Sequence, residues 1–260
     1  MASATGLPRR PPNGAEADDA APTGETEPLL GRPGDAAQLE GAAYWTNLTL
    51  GTAVLAQFGA VILLGIVWAS VFTGPLILFS AHPLAQSLAV FVLVQSVLFL
   101  QPTHTAAQKR AGRRVHAALN LAALLLLVFG VAVVEYNKVA GGNPHFHSVH
   151  AYFGVATCVV LVVQYFVGFT MWATPALYGG EARARALWRW HRVFAYAVVL
   201  PLLLVTVFFT AYTPYNVGIL KMKWWGLLIA LVLVVVGVYP RTPLHKIRNS
   251  KQNGTLSPSN

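Results

Sequence analysis

The sequence predicts an all-α integral membrane fold of six transmembrane helices. Three observations predict it: too little charge for a water-soluble domain, six apolar runs of spanning length, and a one-sided distribution of Lys and Arg. Hydrophobic residues make up 55% of the chain and charged residues only 10%, whereas a soluble domain carries roughly a quarter charged residues. Loops and tails must be supplied from that small charged fraction, so the middle of the chain has none to offer to water. The net charge of +9 lies between apolar runs, which reads as membrane topology and not as a nucleic-acid surface. Cys158 is the single cysteine, so neither an internal disulfide nor a thiolate metal cluster is available.

The elements follow in order. Residues 1–48 hold no apolar stretch of the signal-peptide kind. They are rich in Pro, Gly, Ala and acid, and predict a disordered cytoplasmic tail. A spanning helix needs about 20 mostly apolar residues, and six runs meet or approach that length: 52–72, 76–100, 115–139, 149–172, 193–213 and a shorter one at 224–238. Together they make one transmembrane domain over 49–240. Residues 241–260 are basic, then polar, and predict a second cytoplasmic tail. An even number of spans puts both termini on one side. That side holds all of the 18 Lys and Arg residues except Lys138, Lys221 and Lys223, and the excess of basic residues marks the cytoplasm. Within the first tail, Glu25, Thr26, Glu27, Pro28, Leu29 and Leu30 fit an acidic dileucine pattern. Such a peptide directs cargo to endosomal, lysosomal or vacuolar membranes; without it the plasma membrane is the destination.

Four of the eight histidines stand at the membrane end of a predicted span. His82 opens the second, His116 the third, His150 the fourth and His191 the fifth. His82 and His150 fall at the outer level, His116 and His191 at the inner. A low-spin b haem takes one axial imidazole on each face, and helix bundles provide these from facing helices. Two pairs at two depths therefore predict two b haems stacked across the bilayer, in a four-helix core formed by spans two to five. The bland alternative is an interfacial histidine satisfied by water or a carbonyl. Small residues suit cofactor packing or plain helix packing: Gly154 follows His150 by one turn, while Gly130 and Ser96 lie about four turns beyond His116 and His82.

The segments LFSAHPLAQSLAVF, RRVHAALN, HFHSVHAYFGV and WRWHRVFAY, with their histidines in this order and spacing, resemble the eukaryotic cytochrome b561 proteins. The resemblance covers nearly everything but the tails and is nearest to the stand-alone six-helix reductases. It implies that His82 pairs with His150 and His116 with His191. It also implies an ascorbate-dependent transmembrane reductase that takes electrons from cytosolic ascorbate. The acceptor on the far side would be a ferric chelate or monodehydroascorbate. Arg110 and Arg114 match the family's basic donor-site positions, Arg185 a further one. Many members place an ascorbate-contacting His at the outer end of the third helix, where this chain has Tyr136, Asn137 and Lys138.

The basic residues carry their own argument. Ascorbate is a monoanion at neutral pH, and clustered positive charge raises its local concentration. Lys109, Arg110, Arg113, Arg114 and Arg185 are the candidates. Arg189 and Arg192 flank His191 and are candidates for haem propionates, or for lipid headgroups. On the outer side, His145 and His147 could hold a chelate's metal or accept a proton, with Lys138 attracting anions. A haem-free transporter or membrane scaffold is the alternative, in which the H-x-H-x-x-H run of His145, His147 and His150 binds a divalent metal. Flavin-linked reductases fit less well, because no span here carries two well-placed histidines. A homodimer is compatible with the sequence.

Overall fold

The computed structural model describes residues 36–242. The dileucine peptide, the rest of 1–35, and 243–260 with His245 lie outside the described residues. Those described are helical, and six helices are long and apolar enough to cross a membrane. Helix α1 is Ala53–Phe72, α2 is Ala81–Leu100, α3 is Ala106–Gly141 and α4 is Val149–Ala173. Next, α5 (Glu181–Phe194) runs through a π-helical turn, Ala195–Val199, into α6 (Leu200–Phe209), giving one continuous fifth span, Glu181–Tyr212. The last is α7 (Trp224–Val238).

Two of the expected boundaries move. The third helix begins at Ala106, nine residues before the apolar run, because Thr105 and Gln108 form a capping box that starts it early. At 1.5 Å per residue its 36 residues reach about 54 Å, against a hydrocarbon core of about 30 Å, so α3 must protrude. The fifth helix likewise begins at Glu181. An apolar count marks only the part of a helix that meets lipid, and misses these polar extensions. His116 and His191 therefore lie well inside their helices and do not open them.

Helix α1 packs along α7 and α2, α2 along α3, and α4 along both parts of the fifth span. Small residues set the α1–α7 distance. A Cβ on Gly237 would strike the Ala56 backbone, and one on Gly59 would lie 2.5 Å from the Ala230 carbonyl, so the helices meet backbone to backbone as small residues allow. By contrast, α2 does not pack closely on α4, nor α3 on the fifth span. The two halves, α2–α3 and α4–α5–α6, face each other across the histidines.

Two further expectations change at the tails. Residues 36–48, read as part of a disordered tail, dock on the bundle. Gln38 is buried, its amide N–H donating to the Pro102 carbonyl at 2.9 Å, and its side chain accepts from the Asn47 amide at 3.0 Å. Arg241, read as the start of the second tail, is buried too and donates to the Asn47 carbonyl at 2.9 Å. A buried polar group seeks partners; Asn47 donates to the Gln38 side chain, and Arg241 reaches main-chain carbonyls of Asn47 and Leu98. Both ends of the described chain thus meet at one end of the bundle, the terminal end; the other is the far end. At the far end the turn into α7 is held by buried Asn216, which donates to the Ala211 and Met222 carbonyls and accepts from the Met222 N–H.

Candidate functional site

The four histidines lie at two levels, and at one of them two rings meet. Toward the far end, His82 is the second residue of α2 and His150 the second of α4. Their ring centroids are 6.3 Å apart, with planes at 85°. His82 Nδ1 donates to the Gly130 carbonyl at 3.0 Å, and His150 Nδ1 to the Thr206 carbonyl at 2.9 Å. A carbonyl only accepts, so both Nδ1 atoms carry hydrogen and both Nε2 atoms keep a lone pair. Metal–imidazole bonds run about 2 Å, which puts the centroids of two imidazoles on opposite sides of one metal roughly 6 Å apart. The observed separation fits that arrangement. Phe79 stacks on His82 at 5.6 Å and meets Tyr215 edge-on, so the ring is held on its other flank.

The Thr206 carbonyl is available for a local reason. The span tightens into a 3-10 turn at Thr210, whose N–H turns to Val207 and Phe208. Thr206 therefore loses its helical donor, and His150 takes the place. The Thr210 hydroxyl stands 3.2 Å from the same nitrogen.

At the second level, nearer the terminal end, His116 Nδ1 lies 2.7 Å from the Ser96 hydroxyl and 3.3 Å from the Ser96 carbonyl. Asn120 donates to that hydroxyl at 2.6 Å. His191 sits against Gly168, where a Cβ would lie 2.7 Å from the ring, so the glycine is the space the imidazole occupies. Gln164 donates to the His191 carbonyl at 2.9 Å and to Nε2 at 3.3 Å. The buried Nδ1 of His191 has no hydrogen-bond partner among the described residues. With Nε2 accepting from Gln164, that Nδ1 carries the hydrogen and is a buried donor left without an acceptor.

The basic residues gather at the terminal end. Lys109, Arg110 and Arg114 are exposed on the polar extension of α3. Arg113 lies over Trp188 at 4.7 Å, which ties the extensions of α3 and α5 together. Arg185 is paired with Glu181 at 2.7 Å, one helical turn away. Arg189 stands 5.0 Å from the Trp190 ring, and its buried Nε lacks a hydrogen-bond partner among the described residues. Arg192 is half-buried beside Tyr196.

At the far end the three histidines of the H-x-H-x-x-H run diverge. His145 donates to Glu135 at 2.9 Å, His147 meets the Lys138 ammonium at 3.2 Å, and His150 turns into the bundle. Among the described residues no three His, Cys, Asp or Glu side chains are placed to hold a metal together, which counts against the metal-run alternative. Lys138 belongs to the last turn of α3 and not to the loop; it is buried and also donates to the Pro144 carbonyl. Gly130 leaves room for the Gln86 side chain, while a Cβ on Gly154 would meet only Thr206 at 3.9 Å.

Several contacts were not foreseen: Gln164, Gly168, Thr206, Asn120 and Glu135. Gly168 had a signal, since it follows His150 by five full turns and so shares its face of α4. Gln164, at four turns, had one as well. Thr206 had none, because the π-helical turn shifts its phase.

The fold and the site define a multi-pass membrane helical bundle that brings four imidazoles to two depths. The chain belongs to the eukaryotic cytochrome b561 family, whose sequence profile matches residues 81–215 and so takes in all four histidines; the family name denotes a b-type haem protein. Among curated relatives, the lysosomal membrane ascorbate-dependent ferrireductase of Bos taurus is 29% identical over 137 residues, 52% of this chain and 50% of the relative. The transmembrane ascorbate-dependent reductase of Homo sapiens is 29% identical over 154 residues, 58% of each chain. The plasma membrane ascorbate-dependent reductase of Mus musculus is 32% identical over 107 residues, 38% of this chain and 36% of the relative. The chain thus spans about half the length of the curated relatives it matches. No solved structure matches it.

Proposed function

We propose that this chain is a transmembrane ascorbate-dependent reductase that holds two b haems, one between His82 and His150 and one between His116 and His191. Electrons enter from ascorbate at the terminal, cytoplasmic end. They leave to a ferric chelate or monodehydroascorbate at the far end. The observation that carries the reading is the His82–His150 pair, 6.3 Å between centroids with each Nδ1 committed to a carbonyl. That arrangement leaves an Nε2 lone pair on each of two neighbouring rings. A bound b haem supplies a one-electron ferric/ferrous couple.

The chain's own residues do the rest. The extensions of α3 and α5 present the positive ends of two helix dipoles, and both carry basic residues there. Cations at a helix N-terminus are unfavourable, so Lys109 and Arg110, at the first turn of α3, weaken the helix they begin. An anion bound among them offsets that cost. Ascorbate is such an anion, and Arg110 and Arg114, one turn apart, present their guanidinium groups to one side for its enediolate oxygens. Arg189 and Arg192 are placed for the carboxylates of the inner cofactor, and the unpartnered Nε of Arg189 supports this. At the far end, Lys138 holds His147 in place, and the His145–Glu135 pair is exposed for an incoming chelate or a proton.

The test is reduction across a sealed membrane. Purified protein is placed in vesicles loaded with ferricyanide or a ferric chelate, and ascorbate is added outside. The expected result is a Soret band with reduced α-bands of bis-imidazole b haem, about two haems per chain by pyridine haemochrome, and loss of the enclosed oxidant. A purified protein without a Soret band would instead favour the haem-free scaffold.

A further inference from the structure

Moving 14 residues along α2, from His82 to Ser96, corresponds to moving 14 back along α3, from Gly130 to His116. His82 is bound by Gly130 and His116 by Ser96. Each helix of this antiparallel pair thus offers one imidazole and, four turns on, one acceptor for its neighbour's imidazole. The other half repeats the spacing, with the bond at His191 reversed. His150 of α4 donates to the Thr206 carbonyl, while Gln164 of α4 donates to the His191 main-chain carbonyl and to its ring Nε2. Here 14 residues along α4 correspond to 15 along the fifth span. The extra residue falls where the span contains its π-helical turn, in which the Leu200 N–H reaches back five residues to the Ala195 carbonyl. A π-helical turn adds one residue without adding a turn.

We propose that Ser96 and the carbonyls of Gly130 and Thr206 form a reciprocal brace that orients the imidazoles of His82, His116 and His150, with Gln164 fixing the main chain at His191. The π-helical turn Ala195–Val199 is the one-residue insertion that keeps the fifth span in register with it. The inference rests on the reading of the four histidines as axial ligands. These are positioning residues: they act through the imidazoles and touch no reacting atom. A ring N–H held by an acceptor makes the opposite nitrogen a stronger donor to a metal, which favours the oxidised iron. Pro201 alone does not account for the arrangement. Its missing N–H and its ring disturb the helix locally, but do not require that Thr206 fall on His150.

Two variants test the brace. Ser96→Ala removes the hydroxyl on His116. Potentiometric titration should show one of two haem potentials moved upward and the other in place, with haem content retained. Two unmoved potentials, or a shift of both, would overturn the brace. Deleting Ala197 together with Pro201→Ala lets the fifth span close as plain α-helix one residue shorter. It should lose one haem while Pro201→Ala alone keeps both; two retained haems with unchanged potentials would overturn the role of the π-helical turn. Should the deletion prevent folding, the Ser96 potentials decide. His116→Ala separates the two levels of failure. If it keeps both haems, the ligand reading itself is wrong. If it loses one while Ser96→Ala moves nothing, only the brace is wrong.

Discussion

A histidine becomes useful as a ligand when something else has fixed its ring. His82 and His150 each spend Nδ1 on a main-chain carbonyl, so the tautomer follows from hydrogen bonding and does not depend on the neighbouring side chain. His191 is placed differently, by the empty space at Gly168. The pairing gives a sharp expectation. His150→Ala should halve the haem content, leaving about one haem per chain by pyridine haemochrome, because His116 and His191 sit on other contacts at another level. Retention of the full complement would show that His82 and His150 do not share one group.

At the scale of elements, the informative departures are the polar extensions of α3 and α5. Apolar periodicity has no bearing on a stretch rich in Ala and Arg, and the capping box at Thr105 decides where α3 begins. The extension puts Arg110 and Arg114 on a rigid helix, where their separation is set by the backbone. Changing both to Ala should slow reduction by ascorbate while leaving dithionite reduction intact, and the wild-type advantage should shrink at high salt as charge is screened. Identical stopped-flow traces for variant and wild type would remove these residues from the donor site. Thr105→Ala should act on the same site indirectly. Loss of an N-cap weakens a helix by about 1 kcal/mol, so amide exchange in the first turns of α3 should quicken and the ascorbate KM should rise, with haem content unchanged. A KM at the wild-type value despite faster exchange would show that donor binding does not depend on the extension being helical.

At the scale of the molecule, the bundle exposes large apolar side chains along most of its spans, among them Phe58, Leu125, Val159, Phe166 and Ile229. A surface of that kind belongs in lipid. The sequence names a destination through Leu29 and Leu30, which we propose to be read by sorting adaptors on the cytoplasmic side. A tagged protein with both leucines changed to Ala should redistribute from endosomal membranes to the cell surface. An unchanged distribution would leave this stretch as a linker only.

The six spans, the four histidines, their two depths and the basic side were legible in the sequence itself. Apolar length and charge asymmetry are properties of composition along the chain, and the bilayer reads them without reference to packing. Other features were decided only by tertiary structure. The docking of 36–48 and the burial of Arg241 depend on polar partners far away in the sequence. The diversion of Lys138 from an anion-attracting role to a loop brace depends on where Pro144 and His147 fall. The partners of the imidazoles lie on neighbouring helices, and Thr206 reaches His150 through a single added residue in a π-helical turn. A one-residue change of helical phase leaves apolar content and spacing almost untouched. It still rotates every side chain beyond it by about 100°, and that rotation is fixed only by what the neighbouring helix presents.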